Sequence, residues 1–349
     1  MKYFKFVLSA FKVGVCFNLF TLFLLTIYTL SVEYYFRPFN FVKSPFIEFG
    51  TAVASHRIFA DGNPHNYSFR PDWAKKIEPQ FDLFIPEFQL RADWKDPAPR
   101  LEKWCKTRNC CAHQMGFNDS RIKNFFCFTL DDWYLTNRDF LGSALDSSIS
   151  LTLDAFLRRL PSGSRVIVNE PYMLFSNPRS FSDFTQWFLA LKAKHPGLEF
   201  EIGIQIHLQL IDSYWYQYHP WLFPALRDFS FKHNIRWGIT EFSIFNRLWK
   251  PRIAYNGSTP EQMRYLKHVE SFIPERLRDA FVAHQAHLLF RDAIDARAIS
   301  LTVWGNYPIL WFSRSIEPDF KSSFALWNWD GKPTLMYWAI ARSLHYRQQ

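Results

Sequence analysis

Short apolar runs alternate with longer amphipathic stretches over most of the chain. Helices are predicted at 99–107, 144–159, 181–194, 220–234 and 261–296. Thr259, Pro260 and Gln262 mark the start of the last one, as N-cap, first helical residue and partner in a capping box. The apolar runs predict seven strands, at 49–54, 81–85, 124–130, 165–168, 200–206, 237–240 and 299–303. Several lack strict two-residue alternation, which is typical of strands buried on both faces.

This alternation of strands and helices over about 300 residues predicts a parallel sheet with helical crossovers. The length favours a closed (β/α)8 barrel over two dinucleotide-binding halves. Because the pattern identifies seven strands, the eighth strand is not placed. The predicted fold class is therefore α/β, a TIM-type barrel that is degenerate if one strand is missing.

One segment near the N-terminus has the length and apolar character of a membrane span. Residues 13–32 carry no charged side chain, and a helix of about 20 residues matches the hydrocarbon thickness of a bilayer. Lys2, Lys5 and Lys12 precede the segment and Glu33 follows it, so the N-terminus is predicted to be cytoplasmic. A cleaved signal peptide is the alternative. The run is longer than a usual signal-peptide core, and an uncleaved anchor is favoured.

The predicted organisation is a cytoplasmic tail at 1–12, a transmembrane signal-anchor at 13–32, a stalk at 33–46 and a barrel at 47–349. The protein is expected to be membrane-anchored and single-pass, with the barrel outside the cytoplasm. In that oxidising compartment, disulfides or free thiols are favoured over a zinc site. The cysteines concerned are Cys105, Cys110, Cys111 and Cys127, and their pairing is left open.

Composition and charge exclude several classes of protein. A hydrophobic fraction of 48% with 21% charged residues excludes a disordered or collagen-like chain. The net charge is +9, but no long basic run follows residue 46, so no nucleic-acid surface is predicted. No G-x-G-x-x-G or P-loop motif occurs, which argues against nucleotide binding. No cofactor or metal is predicted.

Two glutamates stand at the ends of predicted strands. Glu170 follows the run at 165–168, and Glu241 follows the run at 237–240. Parallel barrel strands all point their carboxyl ends to one face, where reactive groups gather. Paired carboxylates of this kind carry out glycoside hydrolysis, with one as proton donor and the other as nucleophile or base.

A third strand end adds to this pair. Gln205 and His207 are two residues apart and are therefore predicted to share one face of their strand. Beside two glutamates, His207 is predicted to orient the nucleophile and keep it ionised.

With these three strand ends, the sequence resembles the family 10 glycoside hydrolases, the endo-1,4-β-xylanases and their relatives, from about residue 47 to 345. The segment F-D-L-F-I-P-E-F-Q-L-R at 81–91 resembles the family motif F-N-x-x-T-P-E-N-x-M-K. V-N-E-P at 168–171 resembles the acid/base strand, G-I-Q-I-H at 203–207 resembles G-x-Q-x-H, and I-T-E at 239–241 resembles the nucleophile strand I-T-E-L-D. F-G-T-A-V at 49–53, T-V-W-G at 302–305 and K-P at 332–333 resemble the first strand, the closing strand and the tail.

The resemblance implies a role for each matched residue of a retaining hydrolase. Glu170 would be the general acid/base and Glu241 the nucleophile. The substrate would be a β-linked polysaccharide, xylan-like or an exopolysaccharide. The implied substrate-binding residues are Glu87, Arg91, Asn169 (to the sugar 2-hydroxyl), Gln205, His207 (through Glu241) and Trp304 (as an apolar platform).

The chain also departs from the family pattern. Phe88 replaces an asparagine that contacts xylose, Ser243 replaces the aspartate after the nucleophile, and Arg165-Val166 stands where the family has W-D. These departures motivate an alternative: a non-catalytic glycan-binding barrel in a membrane-associated system of polysaccharide assembly or export.

Overall fold

The computed structural model describes residues 2–38, 43–54, 77–87, 105, 107–115, 125–129, 154–155, 157–171, 178–210, 221–248, 259–304, 326–327 and 332–345. Within these residues, eight strands form a closed barrel in chain order, and every neighbouring pair is parallel. They are β1 (Glu48–Ala54), β2 (Leu83–Glu87), β3 (Ala112–Met115), β4 (Phe125–Thr129), β5 (Arg165–Pro171), β6 (Glu199–Gln209), β7 (Arg236–Phe245) and β8 (Ser300–Val303). The predicted α/β barrel is confirmed, and no strand is missing from it.

The strand that the sequence pattern did not place is β3. It has four residues, A-H-Q-M, and pairs with β2 through a single partnership between Glu87 and His113. A run this short, with no β-branched residue, carries little periodic signal. A disulfide joins Cys105 to Cys110 just before it, and Cys111 is a buried thiol.

The described helices are α1 (Lys2–Tyr35), α2 (Pro178–Lys194), α3 (Leu222–His233), α4 (Pro260–Ser271), α5 (Glu275–Asp295) and α6 (Leu335–His345). The predicted capping box is present: the Thr259 hydroxyl accepts from the Gln262 backbone and the Gln262 side chain accepts from the Thr259 backbone. The single helix predicted over 261–296 is wrong. The first helix ends at Ser271 and a second begins at Glu275 with Pro274 as its N-cap, a residue that has no backbone N–H with which to continue the first. The helices predicted at 99–107 and 144–159 lie largely outside the described residues.

Both faces of β5, β6 and β7 are buried over most of their length, as the apolar runs predict. The outward-facing residues of β5, β6 and β7, such as Val166, Ile204 and Ile239, pack in one large core with the surrounding helices. The barrel interior holds a smaller apolar cluster. Its described members are Ala52, Leu83, Ile85, Cys111, Ile167 and Trp304. Polar side chains lie at the two ends of the barrel, below and above this cluster.

In the part of the chain that the structure describes, no helix is long and apolar enough to cross a membrane. The transmembrane segment predicted at 13–32 is therefore not supported by the structure. The predicted domain boundaries stay a prediction.

The end of α1 packs on the outside of the barrel. Val32 and Phe36 are 7% and 1% exposed and lie in an apolar cluster with alanines of α5 and α6. The Tyr28 hydroxyl is 2.9 Å from Nδ1 of His284 on α5. Residues 28–36 are thus in contact with the barrel, including the first residues of the predicted stalk.

Candidate functional site

A cluster of polar side chains from β5, β6 and β7 lies at the carboxyl end of the barrel. Gln205 on β6 pairs in register with Glu241 on β7, and His207 pairs with Ser243 two residues further along. Residues two apart on a strand share a face, so both neighbouring pairs turn toward the barrel interior. Asn169 of β5 reaches the same place.

Glu241 lies at the centre of this cluster and is 5% exposed. Its Oε1 accepts a hydrogen bond of 2.6 Å from Nδ2 of Asn169, and its Oε2 lies 3.1 Å from Nε2 of His207. The two oxygens therefore have separate partners on two different strands. An amide N–H and an imidazole N–H both favour the ionised carboxylate.

His207 connects Glu241 to a hydroxyl group. Its Nδ1 is 2.8 Å from Oγ of Ser243. When Glu241 is ionised, Nε2 must carry the proton in order to donate to it. A neutral ring then accepts at Nδ1 from the Ser243 hydroxyl, and the three side chains are satisfied with a single negative charge.

Asn169 is fully buried. Its Oδ1 accepts from the Thr240 hydroxyl, its Nδ2 donates to Glu241, and its backbone oxygen lies 3.4 Å from Nε2 of Gln205. The family resemblance implies a contact from Asn169 to a sugar hydroxyl; in the structure the Asn169 side chain contacts Glu241 and Thr240. The sugar contact stays a prediction.

The openness of the site differs from residue to residue. The side chain of His207 is 38% exposed, whereas that of Glu241 is 6% exposed. Trp304, just after β8, is 8% exposed and lies within the interior cluster, with its ring at an angle of 81° to that of His207. Its backbone N–H donates to the Phe242 oxygen at 2.7 Å, which fixes the end of β8 against β7. Trp304 thus lies beside His207, and its role as a sugar platform stays a prediction.

The remaining predicted site residues are described less fully. Glu170 lies on β5 directly after Asn169, and its backbone pairs with Ile204 of β6. Glu87 is the last residue of β2 and pairs with Ala54 and His113. For these two glutamates the structure describes the backbone position. Arg91 lies outside the described residues.

Two hydroxyl residues of β7, Thr240 and Ser243, belong to the site although neither was predicted as a site residue. Ser243 shares a face with Glu241 by two-residue spacing, a signal that was available in the sequence. Thr240 precedes Glu241 and would be expected to face the opposite way. Among the residues that the structure describes, no group of three or more His, Cys, Asp or Glu side chains is placed to hold a metal ion.

No protein-family model matches the chain, and no curated protein matches it. Solved structures of endoxylanases do. A family 10 endoxylanase retrieved from a sugarcane-soil metagenome matches with a TM-score of 0.57 and 14% identity, covering 85% of this chain and 97% of that one. A xylanase mutant from Cellvibrio japonicus in complex with xylopentaose matches with a TM-score of 0.57 and 11% identity, covering 86% of this chain and 68% of that one.

A thermostable xylanase mutant from Cellvibrio japonicus also matches, with a TM-score of 0.53 and 12% identity over 85% of this chain and 97% of that one. The chain therefore has the barrel fold of the family 10 glycoside hydrolases. At these identities the likeness is one of fold, and at that level the predicted resemblance is confirmed.

Proposed function

We propose that the protein is a retaining glycoside hydrolase that cleaves a β-linked, xylan-like polysaccharide. The observation that carries the proposal is Glu241, a buried carboxylate at the carboxyl end of the barrel whose two oxygens contact Asn169 and His207. This is the end of a parallel barrel where catalytic groups gather. The similar structures are xylanases, and one of them is in complex with xylopentaose.

Chain position supports Glu170 as the second carboxylate, because it directly follows Asn169, whose side chain contacts Glu241. Pro171 pairs with Gln205, and Gln205 pairs with Glu241, so the backbone of Glu170 lies one residue closer to the amino end of the barrel than that of Glu241. Strand β6 lies between their two strands. Strands two apart are separated by about 10 Å. The retaining reaction needs a separation of about 5–5.5 Å between the two carboxyl groups, and the proposal therefore expects that separation between Glu170 and Glu241.

In the first step, the Glu241 carboxylate attacks the anomeric carbon while Glu170 donates its proton to the glycosidic oxygen. The glycosidic C–O bond breaks, and a glycosyl ester on Glu241 forms. In the second step, Glu170 takes a proton from water, which attacks the same carbon and releases Glu241. Asn169 and His207 hold the nucleophile, and Glu87, Arg91, Gln205 and Trp304 are assigned to sugar binding.

The test is hydrolysis by the purified full-length chain. Xylan, mixed-linkage glucan, cellulose and bacterial exopolysaccharides are incubated with it, and new reducing ends are measured. Proton NMR of the first product reports the anomeric configuration, which the proposal expects to be retained. If no glycan is cleaved but one binds in a pull-down, the protein is a glycan-binding barrel. If Glu170→Gln and Glu241→Gln both leave hydrolysis unchanged, the assigned roles are wrong.

We also propose that α1 attaches the barrel to a membrane, with the barrel outside the cytoplasm. The support is the uncharged stretch at 13–32 and the exposed apolar side chains of α1, with Phe20 and Phe23 at 58% and 59% exposure. Cell fractionation tests this. Sedimentation with membranes and resistance to carbonate extraction are expected, and recovery in the soluble fraction would contradict the proposal. A protease-protection assay reports the side on which the barrel lies.

A further inference from the structure

Strand β7 contains an irregularity immediately before Glu241. Ile239 pairs with Ile204 of β6, and the next residue of β6, Gln205, pairs with Glu241, so Thr240 is an extra residue on β7. The same happens against β8, where Ile239 pairs with Leu301 and Phe242 pairs with Val303. Thr240 is therefore the additional residue of a β-bulge, a feature that re-aims side chains.

The bulge brings two consecutive side chains to the same partner. Successive residues of a regular strand point to opposite faces, yet Thr240 donates to Oδ1 of Asn169 while Glu241 accepts from Nδ2 of the same residue. The Thr240 side chain occupies space that is open because residue 203 is a glycine. A Cβ atom at Gly203 would lie 2.6 Å from the Thr240 methyl carbon and 2.9 Å from its hydroxyl oxygen, so any larger residue there would displace the threonine.

These contacts decide which way the Asn169 amide points. The amide has one accepting and one donating end. If it were reversed, its oxygen would face the Glu241 carboxylate, which only accepts hydrogen bonds when ionised. The Thr240 hydroxyl is a donor placed at Oδ1, so it stabilises the orientation in which Nδ2 faces Glu241.

We propose that Thr240 is a positioning residue that acts through Asn169 to hold the Glu241 carboxylate in place. The proposal rests on the proposed function, because it names Glu241 as the nucleophile. Thr240 itself need not touch the substrate. Its contribution is to keep an N–H donor on Glu241 throughout the reaction.

The experiment compares Thr240→Val, which keeps the branched shape without the hydroxyl, with Thr240→Ser, which keeps the hydroxyl. The matched control is Thr302→Val. Thr302 is a fully buried barrel threonine on β8 whose hydroxyl has no hydrogen-bond partner within the described part of the chain. We expect Thr240→Val to lower kcat about tenfold with KM little changed, Thr240→Ser to retain most of the activity, and Thr302→Val to match the parent.

A readout that does not need activity separates this proposal from the proposed function. Crystal structures of the parent and Thr240→Val are expected to show that Nδ2 of Asn169 leaves Oε1 of Glu241 in the variant. If the parent cleaves no glycan, the proposed function fails, and this geometry still decides the positioning role. Thr240→Ala replaces Thr240→Val if the latter does not fold.

The proposal is overturned if the variant without the hydroxyl keeps both its activity and the contact between Asn169 and Glu241. It is also overturned if Thr240→Ser loses as much kcat as Thr240→Val, or if Thr302→Val is equally impaired. In the last two cases, packing and not the hydroxyl would explain the loss.

Discussion

The two ends of the barrel each bury a glutamate from the interior face, but they surround it differently. At the amino end, Glu201 is 2% exposed and is bonded to Arg165 at 2.6 and 2.8 Å, with Arg236 also at 2.6 Å. At the carboxyl end, the described partners of Glu241 are the Asn169 amide and the His207 imidazole. One carboxylate is paired with fixed charges, whereas the other is held by groups that need carry no charge.

This difference in partners agrees with the roles proposed for the two glutamates, a structural one for Glu201 and a catalytic one for Glu241. At the amino end, burial works against the charged form of Arg165, but hydrogen bonds to and charges on Glu201 and Glu48 outweigh it and raise its pKa above the ordinary value. The Glu201 carboxylate is thus held between two arginines at the amino end of the barrel. Glu241 contacts an amide and an imidazole instead, and among its described partners there is no arginine or lysine. A buried glutamate thus has arginine partners at the amino end of the barrel and an amide and an imidazole at the carboxyl end.

The largest expected effect is on activity, from Glu241→Gln. The amide keeps the shape of the side chain but is a poor nucleophile, so kcat is expected to fall by about 10³-fold or more. Thermal unfolding should shift little, because the glutamine can still accept from Asn169. Reducing-end assays and a melting curve on the same preparation check both parts. Activity above a tenth of the parent would remove Glu241 from the role of nucleophile.

The reverse pattern is expected for Glu201→Gln. The change removes the buried carboxylate that Arg165 and Arg236 share. Arg165 is 16% exposed and keeps its contact with Glu48, and the free energy of unfolding should drop by about 3 kcal/mol. Urea unfolding measures this, and kcat of the folded protein should be unchanged. Glu199→Gln is the matched control, since Glu199 contacts the same Arg236 but is 60% exposed, and should cost under about 1 kcal/mol. Equal costs for the two variants would contradict the assigned role of burial.

The side-chain contacts at the two ends of the barrel differ in how far the sequence predicts them. At the amino end, β1, β5, β6 and β7 begin with Glu48, Arg165, Glu199 and Arg236, residues visible beside each apolar run but not assigned to one another. Which carboxylate meets which arginine depends on strand register, and register is set by the closed barrel as a whole. The sequence therefore indicates strand limits there but not the ion pairs.

At the carboxyl end, two-residue spacing correctly places Gln205 and His207 on one face, because β6 is regular at that point. The same rule fails for Thr240, because a bulge adds a residue that leaves no mark in the composition of the strand. The short strand β3 and the packing of α1 on α5 were missed for a related reason. Both are stabilised by partners distant in sequence and not by local pattern.

A third buried region allows pH effects on folding to be separated from pH effects on the site. His287 of α5 is 3% exposed, packs against Tyr35 at the end of α1 and Phe36 just after it, and is bonded through Nδ1 to Ser343 at 2.8 Å. Burial lowers its pKa to about 4. Between the unfolded value of about 6.5 and the folded value, the unfolded chain takes up a proton that the folded chain does not.

The free energy of unfolding should therefore fall as the pH drops from about 6.5 to about 4, by up to about 3 kcal/mol from this residue, and should level off below. Urea unfolding at a series of pH values measures the slope, and His287→Gln should flatten it in that window. If parent and variant have the same slope, His287 does not control acid stability. A loss of activity above about pH 6.5 then reflects the groups at the carboxyl end of the barrel and not the titration of His287.

The smallest expected effect comes from Ser243→Ala, which removes the hydroxyl beside Nδ1 of His207. The imidazole would still contact Glu241 but would be free to rotate or change tautomer, so kcat should fall about fivefold, as expected for the loss of one hydrogen bond. Ser164→Ala is the control. Ser164 lies just before β5 at the amino end, is 2% exposed and bonds through its hydroxyl to the Pro161 oxygen at 2.7 Å.

The two serine variants test the comparison at the level of a single hydroxyl. Both remove one buried hydrogen bond and should lower the free energy of unfolding by a similar amount, about 1 kcal/mol. Only Ser243→Ala should also lower kcat, and Ser243→Thr should restore it because the hydroxyl is retained. If Ser164→Ala reduces kcat as much as Ser243→Ala, the activity depends on the stability of the barrel as a whole. The hydroxyl of Ser243 at the carboxyl end would then have no specific effect on kcat.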